Sequence, residues 1–481
     1  MSREPGFLRM KRILALTLLA WLACVLTWPV AGQPGTAERI AKVELPGYKR
    51  VKLENGLTLF LLERHHLPLV SFHWLMKSGG SICDPAGREG SASLTANLLR
   101  KGTATRTADQ LSEALDFVGA SFDAGARREY AVGSAEFVTK DLDLAVELLT
   151  DMLLHPAFPA DELGKLIQQE VDGIKEAKDV PGQVIERYYE GLLFGPHLYG
   201  RPVGGTEASL PKITRDDVAS FYAEHYVPNQ LLLAVVGDFS AAKLEAKLRA
   251  NFASWKSKPI TLPELRAPPK VQGRRALLVD KPDATQTFFR FGNIGLARTN
   301  ADWVPVRVVN TLFGGRFTSM INSELRIESG LTYGANSFFT ANQVPGVFAI
   351  ASFTPNDSSE RALTMALEVL RKLHEKGISS EQLQSAKTYI KGQFGPSLET
   401  NDQLANTICE LEFYGLGPQD INTFFDRVDA MTLADAKRVI ETYYPEKDLA
   451  FVLIGQAAVI EPPARKLGAE IRKKAITETG F

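Results

Sequence analysis

Two unbroken apolar runs mark the chain. Leu231-Leu-Leu-Ala-Val-Val-Gly237 and Leu449-Ala-Phe-Val-Leu-Ile-Gly455 have the length and β-branched content of strands buried on both faces. The same pattern precedes each run. A threonine, Thr214 or Thr432, opens an amphipathic helix as its N-cap. His225-Tyr226 or Tyr443-Tyr444 closes it, and Pro228 or Pro445 follows. Thr214 and Thr432, Tyr226 and Tyr444, and Gly237 and Gly455 are each 218 residues apart. Three landmarks at one offset predict a duplicated helix–strand unit, far longer than any solenoid repeat.

Further helices recur more loosely. Asp141 to Leu149 and Ser359 to Leu370 are amphipathic, and Pro159-Ala-Asp-Glu-Leu163 and Ser379-Ser-Glu-Gln-Leu383 each start another helix. Alternating strands mixed with paired helices predict an α+β protein of two homologous lobes, each a mixed or antiparallel sheet packed against helices. The pattern lapses at Lys256 to Lys270, which holds four prolines. This divides the chain into a first lobe at 43–255, a linker at 256–273, a second lobe at 274–460 and a tail at 461–481.

The N-terminus has a different pattern. Arg9, Lys11 and Arg12 precede an apolar run from Ile13 to Val30, and the small residues Ala31 and Gly32 follow. This is the order of an export signal, expected over 1–32, and it places the mature chain in the periplasm. If uncleaved, the run approaches the length of a membrane anchor.

Composition narrows the function classes. With 481 residues the chain exceeds one hydrophobic core, and its net charge of -1 provides no basic field for nucleic acid. The cysteines are Cys24, Cys83 and Cys409; without a Cys-x-x-Cys pair, a cysteine metal site is not expected. A Cys83–Cys409 disulfide stays open as an exported-protein option. His65, His66, His73, His155, His197, His225 and His374 form no i, i+4 helical pair beside an acid.

Candidate chemistry starts in the first lobe. Strand-like Leu57 to Leu62 and Leu69 to Met76 lead into Lys77-Ser-Gly-Gly80, Asp84-Pro-Ala-Gly87 and a helix running from Gly90 into Lys101-Gly102-Thr103. This arrangement resembles the insulinase/pitrilysin family, which includes the mitochondrial processing peptidases. The resemblance implies two lobes that form half of a clamshell chamber. In active members the helix carries His-x-x-Glu-His: two histidines on one face bind zinc, and the Glu activates the bound water. Here that motif falls on Ser93-Leu-Thr-Ala-Asn97. Ser93 and Asn97 stand at the histidine positions and Ala96 at the base. The family's third ligand, a Glu before an Asp-x-Pro turn, aligns with Gly173 ahead of Asp179-Val-Pro181, with Glu170 and Glu176 within a turn. Neither hydroxyl nor amide replaces a neutral imidazole, and Ala takes no proton. The resemblance therefore implies a chain with no intrinsic zinc site and no bound cofactor.

The second lobe contains Leu312-Phe-Gly-Gly-Arg316 and then Leu325-Arg-Ile-Glu-Ser-Gly-Leu-Thr-Tyr333. The family's Leu-Arg followed by Gly-Leu-x-Tyr matches here, so the resemblance assigns substrate binding to Arg326 and Tyr333. A phenol donates to a developing oxyanion, and a guanidinium fork grips carbonyls or carboxylates. Phe338 to Phe353 is expected to add an edge strand that an extended peptide pairs with. The surviving Arg/Tyr pair beside a lost zinc helix implies a non-catalytic subunit. Its partner would be a zinc-bearing peptidase of the same family, and together they would take a peptide substrate. The alternative is a scaffold of the same fold with no part in proteolysis, as in the core subunits of a respiratory complex.

Overall fold

The computed structural model describes residues 42–481. The export signal expected over 1–32 lies outside the described residues. Among the latter, no helix is long and apolar enough to cross a membrane.

The first lobe comprises β1 (Lys49–Lys52), β2 (Thr58–Glu63), β3 (Leu69–Met76), α1 (Ser91–Leu98), α2 (Ala108–Val118), β4 (Ser121–Ala126), β5 (Ala131–Val138), α3 (Leu142–Leu154), α4 (Ala160–Asp179), α5 (Pro181–Phe194), α6 (Arg215–His225), β6 (Leu231–Gly237) and α7 (Ala241–Phe252). The second comprises β7 (Arg274–Asp280), β8 (Gln286–Ile294), α8 (Trp303–Phe313), β9 (Ala335–Phe339), β10 (Val347–Pro355), α9 (Ser359–Lys376), α10 (Ser380–Phe394), α11 (Asn401–Phe413), α12 (Leu433–Tyr443), β11 (Leu449–Gly455), α13 (Ala457–Lys466) and β12 (Glu470–Ala475).

The duplication is complete at the level of topology. One six-stranded sheet runs β1-β2-β6-β3-β5-β4 and the other β12-β7-β11-β8-β10-β9. Five strands correspond one to one, with the same parallel pair (β2–β6, β7–β11) and the same antiparallel pairs. Only the outer strand differs: β1 is antiparallel to β2, and β12 parallel to β7. Every residue of β6 and β11 is buried, as their unbroken apolar sequence requires. The helices before them, α6 and α12, each have 11 residues and a reciprocal capping box, Thr214 with Asp217 and Thr432 with Asp435.

The segment from 461 on is not a tail. It completes α13 and adds β12 beside β7, where the strand covers the sheet edge. The Phe481 ring ends 5.3 Å from that of Tyr188 on α5. Residues 256–272 carry no helix or strand.

Each lobe lends the other a helix. First-lobe α5 packs on β8 and β11 of the second sheet, and second-lobe α11 packs on β3 and β6 of the first. The buried Tyr189 hydroxyl on α5 donates to the Phe348 carbonyl of β10 at 3.1 Å. A buried Glu129, between β4 and β5, accepts from the Tyr199 hydroxyl and, at 2.9 Å, from the Gln343 N–H of the second lobe. Among the described residues the cysteines Cys83 and Cys409 are free. Cys409 is buried on α11, its Sγ 3.5 Å from the His73 carbonyl, whereas Cys83 packs on the α1 side of the first sheet. The sheet between them removes the disulfide option.

Candidate functional site

The degenerate motif sits on a well-made helix. Gly80 approaches the backbone so closely that a Cβ there would lie 2.3 Å from the Glu129 carbonyl carbon. After that turn, the buried Asp84 carboxylate accepts the N–H groups of Gly90 at 2.8 Å and Ala92 at 2.7 Å. Gly90 holds φ of 104°, a conformation open to glycine. These contacts fix the N-terminus of α1. Ser93 and Asn97, one turn apart on one face, are half-buried, and Ala96 is buried. The helix is therefore presented as a ligand helix would be, with unsuitable donors on it.

The third position holds no ligand side chain. Gly173 is exposed on α4, whereas Glu170 is half-buried. Burial raises the Glu170 carboxyl above its ordinary range, opposed by the Arg187 cation. No carboxylate stands at Gly173; Glu170, one turn earlier on α4, is the half-buried acid beside it. Val180 ends α4, and Pro181 occupies the first turn of α5. A hydroxyl, an amide and one carboxylate do not fit zinc, and Ala96 cannot act as base. Among the described residues no three His, Cys, Asp or Glu side chains converge on a metal-sized site. The histidines found with close partners serve structure: His374 Nε2 lies 2.6 Å from the Tyr444 carbonyl, His197 Nε2 2.8 Å from the Arg266 carbonyl, and His65 Nδ1 2.6 Å from Asp238.

In the second lobe Tyr333 sits on a pinned turn. Gly330 takes φ of 64°. The Leu331 N–H then donates to the Leu325 carbonyl at 2.9 Å, and its own carbonyl accepts Thr354 Oγ1 at 2.7 Å. Ser352 Oγ donates to the Gly334 carbonyl at 2.9 Å, and Thr332 Oγ1 accepts the Gly334 N–H at 3.1 Å. With its neighbours held inward, the Tyr333 side chain projects outward and is 81% exposed. Arg326 lies on a π-helical turn, Ser323–Glu328, with its guanidinium 4.8 Å over the Phe317 ring. Asn322 joins the two loops: its Nδ2 donates to the Phe317 carbonyl at 2.6 Å, and its Oδ1 accepts the Ala335 N–H at 3.1 Å.

Arg326 lines a cavity of about 610 Å³ walled by the Gly314-Gly-Arg-Phe317 loop, the starts of β9 and α5, and the middle of β8. Ser93, Ala96, Asn97 and Gly173 do not line it. Arg290 and Asn322, absent from the sequence reading, do, as does Arg316, quoted there with no role assigned. A charge in the centre of the apolar strand Gln286 to Ile294 is the signal that could have found Arg290.

The expectation of peptide pairing along the second sheet's edge is overturned. The edge strand is β9, but the outward groups of Ser337 are taken. Its N–H donates to the Gly314 carbonyl at 3.2 Å, and its C=O accepts Asn310 Nδ2 at 2.9 Å. The Ala335 N–H is held by Asn322. The end of α8 and the loop after it occupy these groups, so they are not open to an added strand.

Two duplicated lobes with this helix, turn and loop define a peptidase-type fold, and the comparisons agree. Residues 60–200 match the family described as Insulinase (Peptidase family M16), and residues 212–390 match the Peptidase M16 inactive domain. The chain belongs to the M16 peptidase family. It is similar to an uncharacterized zinc protease of Streptomyces coelicolor, at 27% identity over 75% of this chain and 79% of that protein. One from Mycobacterium leprae is likewise 27% identical, over 84% and 90%. The crystal structure of a peptidase M16 inactive domain from Pseudomonas fluorescens superposes with a TM-score of 0.80 at 25% identity, covering 85% of this chain and 98% of that one. A chain of Complex III2 from Candida albicans superposes at 0.73 with 17% identity, over 89% and 100%, a likeness of fold.

Proposed function

We propose that this chain is the non-catalytic, substrate-binding subunit of a two-subunit zinc peptidase acting on peptides in the cell envelope. Its partner is a zinc-bearing relative of the same family, and hydrolysis takes place on that partner. The observation that carries this reading is the asymmetry of the lobes. The α1 helix keeps its fixed N-terminus and half-buried face but holds Ser93, Ala96 and Asn97, while the second lobe keeps Tyr333 pinned outward and Arg326 lining a cavity. A largely exposed aromatic on a hydrogen-bonded turn contributes little to this chain's own core. It suits a phenol that donates to the oxyanion formed when water attacks a scissile carbonyl. Arg326, held over Phe317, suits a fork that orients the peptide. The N-terminal basic-apolar-small pattern supports export.

The test is co-expression with a zinc-bearing relative. The assembled pair is expected to cleave peptides, and Tyr333→Phe to lower kcat/KM by roughly one to three decades, the scale of losing one oxyanion donor. Size-exclusion chromatography checks that the pair stays assembled. Undiminished cleavage by an intact Tyr333→Phe pair removes Tyr333 from the reaction and leaves the scaffold reading.

A further inference from the structure

The second-lobe cavity is more cationic than gripping a peptide backbone requires. Arg290, Arg316 and Arg326 line it, and no Asp or Glu does. The Arg290 side chain is only 11% exposed. Its Nη1 stands 3.6 Å from the Glu186 carboxylate, beyond hydrogen-bond reach, and its Nε is buried without a partner. Arg316 Nε is also buried and unpartnered, while its Nη1 donates to Ser385 Oγ at 2.9 Å. A buried guanidinium with unmet donors is costly unless an anion arrives to take them.

The duplication supplies an internal control. In the first sheet His73 pairs with Ala234 and Ser134; in the second, Arg290 pairs with Val452 and Ala351. Ala234 and Val452 are 218 residues apart, so His73 and Arg290 are equivalent positions. Each faces an acid of the exchanged helix, Asp402 at 3.7 Å or Glu186 at 3.6 Å. The first lobe keeps a cavity there too, about 430 Å³, but Asp123 and Glu410 share its lining with His73 and Arg127. The fold therefore provides a cavity at this position without requiring cations around it. The excess of arginine belongs to the second lobe alone.

The remaining wall combines aromatic rings with the neutral side chains of Asn322, Asn336 and Ser352. The Phe288 and Phe353 rings stack at 5.2 Å, and Phe317, 60% exposed, stands at the rim. The volume falls within the ligand-pocket range of roughly 300–1,000 Å³.

We propose that this cavity is a specificity pocket for a carboxylate-bearing residue of an extended peptide, charge-paired by Arg290, Arg316 and Arg326 and flanked by an apolar residue on Phe288 and Phe353. The pocket deepens the reading of the chain as a substrate-binding subunit, and rests on it. The carboxylate comes from an internal Asp or Glu side chain or from the peptide's own C-terminus.

Fluorescence anisotropy of the purified chain without a partner tests it, using labelled decapeptides with a central Phe-Glu or Phe-Gln, each amidated or free at the C-terminus. The Phe-Glu peptide is expected to bind roughly tenfold more tightly than Phe-Gln, the scale of a charge-assisted hydrogen bond. Retention of that margin in the amidated pair assigns the side chain as the source. A margin seen only between free and amidated termini assigns the terminal carboxylate. Arg316→Gln and Arg290→Gln are each expected to erase the margin between Phe-Glu and Phe-Gln. Because Arg290 is buried, Arg316→Gln decides the matter should Arg290→Gln lower the thermal midpoint. Equal binding of all four peptides, binding of none, or a margin that survives Arg316→Gln overturns the pocket. This assay reads no cleavage, so its failure is separable from that of the Tyr333→Phe experiment.

Discussion

At the scale of single residues, side-chain chemistry decides what α1 can do. Ser93, Ala96 and Asn97 occupy a face that is already capped and positioned, and what is missing is imidazole and carboxylate. Restoring them tests this and locates the third ligand. The combined variant Ser93→His, Ala96→Glu, Asn97→His is expected to bind one zinc per chain by metal analysis after dialysis. Adding Glu170→Gln is expected to abolish retention; zinc retained in spite of Glu170→Gln and bound more tightly after Gly173→Glu would return the ligand position to residue 173. The Tyr333→Phe prediction belongs to the same scale, since it concerns one hydroxyl.

At the scale of elements, capping and burial set the energetics. The two boxes at Thr214 and Thr432 are equivalent, so Thr214→Ala and Thr432→Ala are each expected to cost about 1 kcal/mol in denaturant unfolding. A cost confined to one lobe would mean the boxes have diverged in use. The α1 cap adds a pH dependence. Burial pushes the Asp84 carboxyl up to about 7, against the pull of the Gly90 and Ala92 N–H groups. A carboxyl raised on folding stabilises through its protonated form. That contribution is full below the ordinary 3.8 and is lost as pH rises through about 7. Asp84→Asn, neutral throughout, is expected to flatten the thermal midpoint against pH between pH 4 and 8; an unchanged slope assigns the dependence to other groups.

At the scale of the whole molecule, the exchange of α5 and α11 ties the lobes together more firmly than the proline-rich connection does. Each lobe completes the other's sheet. A protease site engineered between Ile260 and Leu265 and then cut is expected to leave two fragments that co-elute under native conditions and separate only in denaturant. Separation of the nicked halves in native buffer would show that the linker, rather than the exchanged helices, joins the lobes.

Much of the architecture was readable from periodicity because it repeats. Unbroken apolar strands, Thr caps and a fixed spacing are local signals, and local signals set α6, β6, α12 and β11. The absence of zinc ligands was likewise legible, because Ser, Ala and Asn cannot perform that chemistry in any fold. The tertiary structure decided what depends on distant contacts. It placed β12 beside β7, left Glu170 half-buried on α4, and closed the β9 edge with Asn310 and Gly314. It also gathered Arg290, Arg316 and Arg326 around one cavity, from a strand, a loop and a π-helical turn. Charges on separate elements become a site only when packing brings them together, and no local pattern records that packing.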